Sequence, residues 1–258
     1  MLLLLPPSEG KTAPKRGRPV DLDALSFPEL APVRRRVMAA LRELSLGDEA
    51  VALETLGLGP RNAAELARNA DLERQPAGIA ARIYSGVLFD RLDLIGLPTG
   101  AKRKAGRRIL ITSALWGVVG PNDRIPVYRC PAGARLPGLP TATELWRDPL
   151  RAALPDDQLV VDLRSSAYRA LWTPANAPVV TIDVVREQAG RRTVVSHMAK
   201  ATRGDIARAL LIDEGGSGRD PRTVDGVAER VARAGWTVEL GNPDRNGSVS
   251  LTVVERTG

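Results

Sequence analysis

The segment Leu2-Leu3-Leu4-Leu5-Pro6-Pro7-Ser8-Glu9-Gly10-Lys11-Thr12 decides the fold class. Consecutive leucines without alternation fit a strand covered on both faces, as in the middle of a parallel sheet. Pro6 and Pro7 end that run, and the chain leaves into a loop carrying Ser8, Lys11 and Thr12. The Gly10-Lys11-Thr12 triplet suggests a phosphate loop, which also needs a glycine where Leu5 stands inside the strand. A nucleotide-hydrolase loop is therefore ruled out. Two readings of the segment stay open: a strand-end loop that holds an anion, or a plain surface turn.

Outward from this strand, Ile109–Ser113 and Leu159–Leu163 read as further buried strands. Val179–Val185 and Thr193–His197 read as a hairpin around Gln188–Arg191, and Trp236–Leu240 with Val249–Val254 as a C-terminal one. Apolar spacing predicts helices over Val33–Leu44, Glu49–Leu56, Asn62–Asn69, about Ala77 to Tyr84, and Thr223–Ala234. Another is expected over Thr202–Ile212, with Thr202 as N-cap and Asp205 three residues on. Residues 13–32 read as a surface excursion and Lys102–Arg108 as a basic loop. The expected fold is mixed α/β: a central mixed β-sheet flanked by helices, a helical section at about 33–95, and a C-terminal β-hairpin. Residues 1–258 are expected to form a single domain.

The chain carries 37 Lys+Arg against 30 Asp+Glu, a net charge of +7, which favours an anionic partner. Cys130 is the only cysteine and His197 the only histidine. An internal disulfide, Cys/His zinc sites, histidine-rich di-iron sites and multi-histidine catalytic arrays are thereby excluded. The opening apolar run is too short for a signal peptide and no later stretch suits a membrane span, so a cytosolic, membrane-free protein is expected. Neither a metal nor a cofactor is expected.

Several further segments carry chemistry. Leu56-Gly57-Leu58-Gly59-Pro60-Arg61-Asn62 matches the helix–hairpin–helix pattern, in which Gly57 and Gly59 admit a phosphate and the next helix aims N–H groups at it. An ordinary glycine-capped helix connection has the same sequence. In the segment Thr112–Arg129, Arg124 and Arg129 offer forked phosphate contacts and Tyr128 a stacking face, unless the aromatics Trp116 and Tyr128 belong to the core. Asp162–Tyr168 supplies Ser165, Ser166 and Tyr168 at another strand end. Lys200 and Arg203 stand near the start of the predicted 202–212 helix, opposed to its dipole, which a shared anion would explain. His197 reads as a structural histidine rather than a base, and Cys130 as a buried thiol rather than a peroxide-sensitive one beside Arg129.

Taken together these segments resemble the YaaA peroxide-stress protein family. The resemblance rests on Pro7-Ser8 with Lys11-Thr12, Tyr84-Ser85-Gly86, Ser113–Val119 with Pro121, Asp123, Pro126, Tyr128 and Arg129, Leu145-Trp146, Asp162-Leu163 through Ser166 and Tyr168, and Lys200 with Arg203-Gly204. It implies a mixed α/β fold with a helix–hairpin–helix and a positively charged cleft. It also implies DNA binding and protection of DNA under oxidative stress, linked to lowered free iron.

The leading expectation is a monomeric protein that binds duplex or branched DNA. Its strand-end loops 7–12, 112–129, 163–168 and 197–204 would line one cleft. Ser8, Lys11, Thr12, Arg124, Tyr128, Arg129, Ser166, Tyr168, Lys200 and Arg203 would meet phosphate there, with Gly57, Gly59 and Arg61 alongside. The alternative is an enzyme acting on an anionic small molecule, a nucleotide or acyl-phosphate, with Lys11, Lys200 or Ser165 as catalytic candidates. A lysine crowded by other cations loses its proton more readily, which makes it a possible base or nucleophile.

Overall fold

The computed structural model describes residues 1–188, 190–193, 196–213, 216 and 219–256. The quoted leucines form β1 (Leu2–Leu5), every residue of which is buried. Parallel neighbours flank it on both sides: β3 (Ile109–Ser113) and β6 (Val160–Asp162). The sheet continues from β6 through β7 (Val179–Gln188) to β10 (Val249–Arg256), all parallel. Antiparallel β4 (Gly117–Val119) closes one edge and β9 (Thr237–Pro243) the other, so β9 and β10 form the expected C-terminal strand pair. A short β8 (Arg191–Thr193) folds back on the end of β7, and β2 (Gly78–Ile79) pairs with β5 (Arg124–Ile125) apart from the main sheet.

The helices are α1 (Ala31–Leu46), α2 (Glu49–Thr55), α3 (Ala64–Ala70), α4 (Ala80–Ile83) and α5 (Val87–Leu92), followed by α6 (Thr99–Arg108), α7 (Ala142–Ala153), α8 (Ser166–Arg169), α9 (Ser196–Ile212) and α10 (Val224–Arg233). The fold is thus the mixed α/β architecture expected, with corrections in detail. The helix expected at 77–84 is the strand β2 and the single turn α4. The basic stretch 102–108 is helical, because lysine and arginine favour helix and Ala101 and Ala105 bury one narrow stripe. Helix α7 had an unread marker, the capping box of Thr141 and Glu144.

Helix α9 starts at Ser196, so Ser196 and His197 are helical rather than the end of the strand expected at Thr193–His197, and Thr202 lies well inside the helix with its hydroxyl bonded to Glu255. Val194 and Val195 and the side chain of His197 lie outside the described residues. The dipole argument for Lys200 and Arg203 fails as well, since the effect is confined to the first turn.

Glycine 204 lies where α9 crosses α5: a Cβ there would overlap the Leu88 carbonyl oxygen and press within 2.9 Å of the Arg91 side chain. Alanine normally stabilises a helix interior by about 1 kcal/mol over glycine. Here Gly204→Ala is expected to cost about 1–3 kcal/mol in urea unfolding, because overpacking prevails over propensity. A gain in stability would show the contact to be open.

Candidate functional site

Strand order reverses between β1 and β6: from β1 the chain crosses to β3 on one side, and from β6 to β7 on the other. The crevice at the carboxyl ends of two such strands is where open α/β sheets place ligands. The loops that leave β1 and β6 bound a cleft of about 390 Å³ at this point. Its walls include Ser8, Lys11, Tyr128, Arg129, Ser165, Tyr168, Lys200 and Arg203, with Glu9 as the acidic group among them.

The loop after β1 is fixed by the chain at 83–85. Lys11 bridges Tyr84, the Thr12 N–H donates to the Ile83 carbonyl at 2.8 Å, and the Ser85 N–H donates to Ser8 Oγ at 3.1 Å. Lys11 Nζ donates to the Ser8 carbonyl at 2.7 Å and lies 4.2 Å from the centre of the Tyr128 ring. Desolvation, reinforced by the nearby Arg129 charge, lowers its pKa from the usual 10.5 to about 8. Beneath it runs a buried hydroxyl chain, Tyr84 to Tyr128 at 2.8 Å and Tyr128 to Ser113 at 2.7 Å, with Ser113 Oγ accepting the Leu115 and Trp116 N–H groups. Burial pushes both tyrosines above their ordinary range.

Arg129 joins two parts of the molecule. Its Nε donates to the Leu56 carbonyl at 3.2 Å, and its backbone exchanges hydrogen bonds with the Asn69 side chain at 2.8 and 2.9 Å. Its ion pair with Glu9, at 3.2 Å, is weak because the Glu9 side chain is 85% exposed. The connection 56–62 between α2 and α3, in which Gly57 adopts φ +60°, is thereby tied to the cleft wall. Arg203 donates through Nε to the Ile182 carbonyl at 3.0 Å, and burial with the neighbouring Arg169 charge lowers its pKa.

Other residues expected at the site stand elsewhere. Arg124 donates to the Ala77 carbonyl at 2.7 Å and lines a separate cavity with Asp21 and Asp23, because β5 pairs with β2 apart from the main sheet. Thr12, Arg61 and Ser166 are exposed and do not line the cleft, and neither do Gly57 and Gly59. Tyr128 is 2% exposed with Lys11 over its ring, so it packs in the core rather than offering an open stacking face. Cys130 is buried, which raises its thiol to about 12 and overrides the lowering effect of Arg129.

Sequence reasoning passed over the structural arginines that shape these walls. Arg164 forms a fully buried pair with Asp162 at 2.7 Å and donates to the Trp172 carbonyl at 2.8 Å, which sets the loop bearing Ser165 and Tyr168. Arg34 donates to the carbonyls of Ser26, Phe27, Trp116 and Val118, which pins α1 beneath the 116–118 turn. Its place one turn before Val37 and Met38 was the available signal.

The family model for the peroxide stress protein YaaA matches residues 1–218. The chain belongs to the YaaA peroxide stress protein family. A UPF0246 protein of Streptomyces coelicolor is 44% identical over 251 residues, covering 96% of this chain and 95% of that one. A UPF0246 protein of Corynebacterium glutamicum is 39% identical over 258 residues, covering 98% of this chain and 100% of its own. The family's model thus spans every residue named on the cleft walls. Among the described residues, no helix is long and apolar enough to cross a membrane.

Proposed function

We propose that this member of the family binds DNA by its phosphates, at the cleft between β1 and β6, in the cytosolic response to peroxide stress. One observation carries the reading: Lys11, Arg129, Lys200 and Arg203, from three distant stretches of chain, share one cleft with a single carboxylate, Glu9. The tethered connection would supply a second grip. The Gly57 and Leu58 N–H groups donate back to the Glu54 and Leu53 carbonyls and that of Asn62 to the Gly59 carbonyl, and the N–H of Gly59 has no internal partner among the described residues. Contacts of this kind hold a backbone without reading bases, which suits duplex and branched DNA alike.

Four phosphate contacts would release enough counterion to give a slope of about −3 to −4 in log affinity against log salt. Fluorescence anisotropy with duplex and four-way-junction DNA from 50 to 300 mM salt, on the order of the range where such effects are large, measures it. Affinity that ignores salt would defeat the reading.

A second reading, an enzyme for an anionic small molecule, is favoured by the cleft's volume of about 390 Å³, within the usual range for small-ligand sites. It expects a nucleotide or acyl-phosphate to raise the melting temperature of the protein but not of Lys11→Ala.

A further inference from the structure

Among the described residues no carboxylate comes within ion-pair distance of Lys11, whereas Arg129 pairs with Glu9, and Asp183 lies 3.9 Å from Arg203. The Lys11 ammonium is instead held over the Tyr128 ring and against the Ser8 and Glu9 carbonyls, on a loop bound to residues 83–85. Among the other lysines, Lys15, Lys102 and Lys200 are exposed, and Lys104 faces Asp220 at 3.7 Å. Lys11 alone joins a place in the cleft with the loss of much of its hydration. Arg129, whose charge is felt at Lys11, and Lys200, on the walls of the same cleft, are the cations available to hold the phosphates that flank whatever the amine meets.

We propose that Lys11 is a nucleophile that forms an imine with a phosphate-flanked aldehyde, the ring-opened deoxyribose of an abasic site in DNA. The inference rests on the nucleic-acid reading above. An abasic sugar has no base to be accommodated, so a cleft of about 390 Å³ suffices for it. It also exposes an aldehyde at C1′ when the ring opens.

The step balances without a further reagent. Lys11 first gives a proton to solvent, which at a pKa of about 8 leaves about a tenth of the amine neutral at pH 7. The nitrogen lone pair attacks C1′, the carbonyl π electrons move to oxygen, and a proton passes from nitrogen to that oxygen through water. The carbinolamine hydroxyl then takes back one proton from solvent and leaves as water, giving a protonated imine, which water returns to aldehyde and ammonium.

The test uses the full chain, a duplex carrying one abasic site, the same duplex with an intact base, and sodium cyanoborohydride, which delivers hydride to the imine carbon. A covalent adduct on denaturing gels is expected with the abasic duplex alone, and peptide mass mapping is expected to place it on Lys11. Lys11→Arg, which keeps the charge but cannot form the adduct, is expected to lower the yield at least tenfold, with a thermal melt checking that it folds. An adduct mapped to the Met1 amine, whose pKa burial also lowers, or an undiminished yield from the variant, would overturn the assignment. Anisotropy on the same samples separates the two claims: binding without adduct overturns the imine and leaves DNA binding standing, and no binding to either duplex overturns both.

Discussion

Asp162→Ala is expected to lower the stability of the protein by about 3–5 kcal/mol, which for a chain of this size is a fall in melting temperature on the order of 10 °C. The Asp162 side chain is 2% exposed and that of Arg164 1%. Asp162 Oδ1 accepts the Arg164 N–H and Nε, each at 2.9 Å, and Oδ2 accepts Nη2 at 2.7 Å. Removal of the carboxylate leaves a guanidinium in the interior with only the Tyr168 and Trp172 carbonyls to face. That uncompensated charge, rather than the lost attraction, sets the size of the effect. A double change, Asp162→Leu with Arg164→Met, removes both charges and should cost far less than the single one. Urea unfolding of the three proteins decides the matter, and a single-variant loss below about 1 kcal/mol would mean that the pair is solvated.

Lys11→Met is expected to do the opposite to stability and to weaken DNA binding at the same time. The folded protein holds Lys11 at a pKa of about 8 against 10.5 for the free side chain, so the charged form is disfavoured by folding. Between those values the unfolded chain binds more protons than the native one, and stability rises with pH across that window. Below pH 8 both states are protonated and the full penalty remains. Methionine removes it, and a gain on the order of 1–2 kcal/mol at pH 7 is expected after allowance for the partial exposure of the side chain. That advantage should shrink as pH climbs from 8 towards 10.5. Affinity for DNA should fall, with the salt slope reduced by about one. Urea midpoints at pH 7 and 10 together with anisotropy test both halves. A destabilised variant at pH 7 would show that the Ser8 contact and the Tyr128 ring outweigh desolvation.

Local chemistry made much of this legible. An unbroken apolar run such as Leu2–Leu5 fits a strand buried on both faces, as inside a parallel sheet, and Pro6 and Pro7 locate the strand's end. The pattern of small residues and hydroxyls after β1 and β6 marked the two loops that border the cleft. Charge alone misled at Lys102–Arg108, where a two-alanine stripe was enough to seat a helix. It misled again at Arg124, since nothing local tells which way a two-residue strand such as β5 will turn its side chains.

The sequence by itself determined the mixed α/β class, the family, and the scarcity of cysteine and histidine that limits the chemistry available. Only the tertiary structure decided which cations meet. Lys11, Arg129, Lys200 and Arg203 come from stretches as far apart as 192 positions, and the sheet order together with the packing of α9 brings them to one cleft. It also decided how Lys11 differs from the exposed lysines, because desolvation and a neighbouring charge depend on atoms that are remote in the chain.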